Sequence, residues 1–178
     1  MKKKETHCVV EHEDRSLYVG SVDKNNIPNG EGIFVFPNGD KCFGEHKDGL
    51  IHGQGTYIYA DGSVYAGEHK NGKASGQGTY IYADGSVHVG EYKNGRRNGY
   101  GKYIYGPDLS EGDTYVGEYK DDAIHGYGTY TRANGDVYTG QNNNDLAHGY
   151  GTMTYTDGSI EDGNGKTANM LVHNNFFR

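Results

Sequence analysis

The sequence predicts an all-β protein: an elongated single-layer antiparallel meander of stacked β-hairpins, twisted and groove-shaped. Three observations predict it. Glycine recurs at a fixed interval, Asn-Gly and Asp-Gly pairs fall between short alternating segments, and apolar residues are too few for a thicker fold.

The interval is set by the triplet Gly-x-Gly. Its glycines are Gly30/Gly32, Gly53/Gly55, Gly76/Gly78, Gly99/Gly101, Gly126/Gly128 and Gly149/Gly151, in steps of 23, 23, 23, 27 and 23 residues. A second series, Gly44, Gly67, Gly90, Gly117, Gly140 and Gly163, steps by 23, 23, 27, 23 and 23, so both series place one four-residue insertion between Tyr105 and Asp113. Periods of about 20 to 50 residues mark linear arrays, in which each unit buries its face only against its neighbours.

One unit therefore stands for all. Tyr65-Ala66-Gly67-Glu68-His69-Lys70 alternates as a strand, Asn71-Gly72 is a hairpin turn, and the return strand runs through Gly78-Thr79-Tyr80-Ile81-Tyr82. Asp84-Gly85 is expected to make a second turn of the same chemistry. No helical periodicity of useful length appears. The chain divides into residues 1–15, an N-terminal tail or first edge strand, residues 16–163, the array, and residues 164–178, a capping or docking tail.

Glycine within a strand costs about 0.5–1 kcal/mol against alanine, so its recurrence in register points to a geometric need. The expected need is close approach at Gly53, Gly55, Gly76, Gly78, Gly99, Gly101, Gly126 and Gly128, where a ring from the adjacent hairpin lies on bare backbone. Rings stand at matching places. Two residues after each triplet come Phe34, Tyr57, Tyr80, Tyr103, Tyr130 and Met153; four after come Phe36, Tyr59, Tyr82, Tyr105, Arg132 and Tyr155. These share one face, and Ile58, Ile81 and Ile104 point the other way.

Units such as Tyr65-Ala-Gly67-Glu-His-Lys-Asn-Gly72, followed by Gly76-Gln-Gly78-Thr-Tyr80 and Asp84-Gly85, closely resemble the MORN repeat. The resemblance runs from about Leu17 to Gly163. It departs from the family after Gly-Glu, where Trp or Phe is frequent and this chain has His46, His69, Tyr92, Tyr119 and Asn142. The resemblance implies scaffolding, dimerisation and partner binding in cytoskeletal, ciliary and membrane-junction assemblies, and in some members phospholipid binding.

Composition narrows the function classes. With 33% hydrophobic residues among 178 the core must be thin, yet 17 Tyr and 5 Phe argue against disorder. The net charge of -7 speaks against nucleic acid as a partner. Cys8 and Cys42 lie far apart, and Lys2, Lys3 and Lys4 precede no apolar leader, so a cytoplasmic setting is expected, with cytoskeletal or membrane association. Glu45, Glu68, Glu91 and Glu118 form one column and Lys47, Lys70, Lys93 and Lys120 the next, placed to pair diagonally across rungs.

No catalytic group, metal or cofactor is expected. His52, His125 and His148 share a column in which Ser75 and Asn98 also stand, so a small polar residue suffices there. The glycine-rich segments lack the helix that a phosphate cradle requires. No nucleophile or carboxylate pair stands apart from the repeat.

The expected site is a groove on the face carrying Tyr57, Tyr59, Tyr80, Tyr82, Tyr103, Tyr105 and Tyr130, its rings exposed to receive a partner peptide or helix, or a second copy of the chain. A phospholipid surface, reached through the lysine column with Lys73, Arg96 and Arg97, is the alternative. Two segments break the pattern. The insertion Gly106–Gly112 either carries function or is tolerated drift, and the tail from Lys166, with Met170, Leu171, Val172, Phe176 and Phe177, either covers the last rung or docks elsewhere.

Overall fold

Apart from the first, where Arg15 has a φ of 68°, the hairpin turns among the described residues place Asn, Asp or Gly in the left-handed region that these residues tolerate, and fourteen strands result. The computed structural model describes residues 6–107 and 110–164. The strands are β1 (Thr6–Glu11), β2 (Leu17–Val22), β3 (Pro28–Val35), β4 (Lys41–Lys47), β5 (Leu50–Ile58), β6 (Val64–Lys70), β7 (Lys73–Ile81), β8 (Val87–Lys93), β9 (Arg96–Ile104), β10 (Thr114–Lys120), β11 (Ala123–Thr131), β12 (Val137–Asn143), β13 (Leu146–Thr154) and β14 (Ile160–Asn164). They lie in chain order in one open antiparallel sheet, and no helix occurs among the described residues. By internal contacts the described residues form two compact units, one running to Ala83 and including Lys93–Gly95, the other comprising Asp84–Tyr92 and the residues from Arg96 onward.

The two kinds of turn differ, which corrects the expectation of shared chemistry. At Asn71-Gly72 both residues have positive φ, 51° and 78°, the pair that a two-residue type I′ hairpin needs. The Asp-Gly turns are three-residue loops instead. In Tyr59–Ser63 only Gly62 has positive φ, the Gly62 N–H donates to the Tyr59 carbonyl at 3.0 Å, and the Ser63 N–H donates to Asp61 Oδ1 at 2.8 Å. Aspartate acts there through its side chain rather than through its backbone.

The covering of the glycines also differs from expectation. Gly67 and Gly78 are opposite partners in β6 and β7, and a methyl group on Gly78 would collide with the hydroxyl and ring of Tyr65, two residues before Gly67 on its own hairpin. Tyr18, Tyr115 and Tyr138 cover their own hairpins' glycines in the same way, and His88 replaces tyrosine over Gly90 and Gly101. Hydrogen bonding selects these rings over the column led by Phe34 and Tyr57. The Tyr18, Tyr65 and Tyr138 hydroxyls donate to the carbonyls of Ser21, Glu68 and Gln141 at 2.8, 3.0 and 3.0 Å, which holds each ring flat along its hairpin.

The first glycine of each triplet has another role. Gly76 lies where the β6–β7 register shifts between Gly67 and His69, leaving extra residues on β7, and its φ of +68° suits only glycine without strain. The bulge frees the Gln77 N–H, which donates to Glu68 Oε1 at 3.0 Å. Glu91, Glu118 and Gln141 accept in the same way from Tyr100, Tyr127 and Tyr150, at 3.2, 3.0 and 3.1 Å. The glutamate column therefore closes bulges. Among the described residues no ion pair joins it to the lysine column, contrary to the diagonal pairing expected; ion pairs lie instead at Arg96–Asp122, Arg97–Asp122 and Arg132–Asp136.

Each unit has a one-sided core. In the first, Tyr18, Phe34, Cys42 and Ile51 form a buried cluster against which Val10, Val22, Phe36 and Tyr57 pack. In the second, Tyr92, Tyr103, Tyr105, Tyr115, Tyr119, Ile124, Tyr130, Tyr138, Ala147 and Met153 are buried. The opposite side of the sheet keeps Val19, Ile33, Val35, Ile81, Val89 and Ile104 exposed.

A polar column, buried except at half-exposed Asp40, ties each loop to the next rung. Asp40, Ser63, Ser86, Asp113 and Asp136 accept from the backbone N–H of Ala60, Ala83, Gly106, Ala133 and Thr156 at 2.8, 3.1, 2.9, 2.7 and 3.1 Å. Asp113 follows the insertion, of which Asp108 and Leu109 lie outside the described residues, and also accepts from the Tyr130 hydroxyl. Asp113→Ala is expected to lower the stability of the second unit by about 2–3 kcal/mol in urea titrations, because buried donors lose an acceptor. Asp113→Ser should recover part of this loss, since serine performs the backbone contact at Ser63 and Ser86.

Candidate functional site

Strand alternation and register bring the predicted groove residues onto one face within each unit. In the first unit Tyr57 and Tyr80 flank Tyr65 as cross-strand partners, while Tyr59 and Tyr82 follow at the strand ends. Their rings make a contact chain: Phe36–Tyr57 at 6.0 Å between centroids, Tyr57–Tyr59 at 4.6 Å, Tyr59–Tyr80 at 5.6 Å and Tyr80–Tyr82 at 4.4 Å. All four tyrosines are half-buried. In the second unit Tyr103, Tyr105 and Tyr130 pack similarly, with centroids 4.7 and 5.7 Å apart.

The expectation of a fully exposed row needs correction here. Tyr103, Tyr105 and Tyr130 are 8%, 8% and 9% exposed, so they belong mainly to the core of their unit. Crowding within the face explains this, because Arg97 lies over the Tyr103 ring at 5.5 Å and over the Tyr119 ring at 5.1 Å. The half-open part of the predicted surface is the set Tyr57, Tyr59, Tyr80 and Tyr82.

The column after Gly-Glu also faces this side, and sequence reasoning treated it only as a departure from the repeat. His46 and His69 are buried, contact Tyr18 and Tyr65 edge-on at 5.2 and 5.0 Å, and place Nδ1 2.9 and 3.1 Å from the carbonyls of Gly44 and Gly67. Burial pulls both imidazoles below the ordinary histidine range. Burial also pushes the Tyr59 and Tyr65 hydroxyls up to about 12, so both remain protonated donors.

Three exposed tyrosines escaped the sequence reading. Tyr100, Tyr127 and Tyr150, the middle residues of their triplets, are 56%, 58% and 73% exposed on the opposite side of the sheet. The signal was available: in the first unit the same column reads Glu31, Gln54 and Gln77, and it changes to tyrosine in the second.

Among the described residues no group of three or more His, Cys, Asp or Glu side chains is placed to hold a metal ion. No helix there is long and apolar enough to cross a membrane.

Repeated hairpins with paired glycines, covered by a ring in all but the Cys42 hairpin, define the class: a single-sheet β-hairpin repeat protein. The MORN repeat family model matches residues 18–41, 42–64, 65–87, 88–107, 115–137 and 138–160, and the chain belongs to the MORN-repeat family. A search among curated proteins finds no match. Similar solved structures include the SAS-4 (dCPAP) TCP domain of Drosophila melanogaster in complex with a proline-rich motif of Ana2, at 12% identity, 88% coverage of both chains and a TM-score of 0.47. The TCP10 domain of Danio rerio CPAP in complex with a STIL peptide is another, at 11% identity, covering 90% of this chain and 75% of that one, with a TM-score of 0.48.

Proposed function

We propose that this chain is a non-enzymatic protein-binding scaffold whose aromatic face receives an extended or helical segment of a partner, or a second copy of the chain. The observation that supports this reading is the half-open ring chain Tyr57–Tyr59–Tyr80–Tyr82 of the first unit. Tyrosines already in mutual contact lose little side-chain freedom on binding, and each offers apolar area and a hydroxyl. Cytoplasmic assemblies of the cytoskeletal or membrane-associated kind are the setting we propose.

The test is comparative affinity capture from cells with the wild-type chain and with Tyr59→Ala/Tyr82→Ala, read by quantitative mass spectrometry. Both positions lie beyond the paired registers of β5 and β7, so the variant should fold, and circular dichroism would check it. Partners that depend on this face should fall by about tenfold or more, since aromatic anchors at interfaces contribute about 2 kcal/mol or more each. Wild-type recovery of every partner would remove the proposal. A phospholipid surface is the less supported reading, because Arg96 and Arg97 lie 3.9 and 3.7 Å from Asp122 and their charge is partly offset. Co-sedimentation with phosphoinositide vesicles at physiological salt separates the two readings.

A further inference from the structure

A cavity of about 620 Å³ opens on the aromatic face of the first unit. It follows from one residue. The column that places Tyr18, Tyr65, Tyr115 and Tyr138 over glycines holds Cys42 in the second hairpin, and Ile51 from the return strand takes only part of the ring's place, its Cδ1 approaching Gly55. Buried Cys42 and Ile51 form the floor.

The surrounding rings form a continuous wall. His12 and Phe34 have centroids 5.3 Å apart, Phe34 and Phe36 stack at 5.5 Å and 10°, and Phe36 meets Tyr57 at 6.0 Å and 28°. Exposed Glu13 and Asp14 line the mouth, and two hydrogen bonds from Ser16 hold the Asp14 carboxyl below the ordinary carboxylate range, so it stays ionised. His12 Nε2 is buried without a hydrogen-bond partner. Stacked π faces beside two carboxylates favour a cation, and they disfavour a phosphate headgroup or an acidic peptide.

The second unit contains a precedent on the equivalent face. Its own Arg97 puts a guanidinium over Tyr103 and Tyr119, and Arg97 Nε lies 3.7 Å from Asp122 Oδ1. Arg97 occupies the column that Ile51 occupies at the cavity floor, two residues before the triplet.

We propose that the cavity takes an arginine side chain from a partner polypeptide, its guanidinium against Phe36 and Tyr57 and its charge facing Glu13 and Asp14. The inference rests on the protein-binding reading above and names the partner chemistry at one site. Arginine fits better than lysine because its planar group stacks on rings while its N–H edge remains free for carboxylates.

The test titrates the isotope-labelled full chain with the peptide acetyl-Gly-Leu-Arg-Leu-Gly-amide, followed by amide chemical shifts. The controls replace arginine by citrulline, which is neutral with nearly the same shape, or by lysine. The arginine peptide should shift amides in residues 12–16, 34–36 and 49–51 saturably, and citrulline should bind about tenfold more weakly. The surface variant Glu13→Gln/Asp14→Asn should weaken the arginine peptide by a similar factor, as should Phe36→Leu, with Tm recorded for both. Citrulline or lysine peptides binding as tightly as arginine, shifts confined to other residues, or a surface variant of wild-type affinity would each overturn the assignment. If the arginine peptide fails while Tyr59→Ala/Tyr82→Ala still abolishes partner capture, the arginine pocket falls and the scaffold stands.

Discussion

Replacing Gly128 by alanine is expected to destabilise the second unit by about 3 kcal/mol, the upper end of the usual range for overpacking a filled site. A methyl group there would meet the hydroxyl and ring carbons of Tyr115, which is 1% exposed. The ring has no easy retreat. Its hydroxyl donates to the Glu118 carbonyl at 3.4 Å, and its edge meets Tyr119 with centroids 5.4 Å apart. Gly158→Ala is the matched control: nothing lies within 4 Å of its added carbon, so only the left-handed backbone at φ +85° opposes it, for about 1 kcal/mol. Urea denaturation with hydrogen exchange across β10 and β11 measures the difference. A Gly128→Ala loss no larger than the control's would mean that the ring over paired glycines is not what locks the hairpin.

Acid is expected to unfold the second unit through His88. This side chain is fully buried, its Nδ1 lies 2.7 Å from the Tyr92 hydroxyl, and its Nε2 has no hydrogen-bond partner. Burial first, and the positive charge of Arg97 second, pull its pKa from the ordinary 6.5 down to about 4. The folded state therefore favours neutral imidazole, while the unfolded chain takes up a proton near pH 6.5. Stability from this group is complete above that pH and falls as the pH drops through about 4, by up to roughly 3 kcal/mol. His46 and His69 shift in the same direction and add a weaker acid sensitivity to the first unit. His88→Tyr restores the ring used at Tyr65 and Tyr115, and should flatten the dependence of second-unit exchange on pH between 7.5 and 4.5. An equally steep dependence in the variant would assign the effect to another group.

Much of the fold was legible because its signals are local. Asn71-Gly72 announces two left-handed residues whatever surrounds it, and the glycine period sets strand length and register. The choice of covering ring was not legible. Tyr65 and Tyr80 share a face and both stand near Gly78, and only the reach of the Tyr65 hydroxyl to the Glu68 carbonyl separates them. The site was legible in part. Tyr57, Tyr59, Tyr80 and Tyr82 were placed on one face by alternation, but their partial burial depends on rings from neighbouring strands, and Tyr103, Tyr105 and Tyr130 are buried by the same crowding.

By itself the sequence determined an all-β hairpin array with the two aromatic columns that follow each glycine triplet on one face, because turn residues and strand alternation act over a few neighbouring positions. Only the tertiary structure decided which rings lie over glycine, that Cys42 leaves a cavity where other rungs place a ring, and that the glutamate column closes bulges rather than pairing with lysine. Those outcomes depend on the depth and reach of side chains from different strands, and packing at that scale selects among contacts that a one-dimensional pattern leaves equivalent.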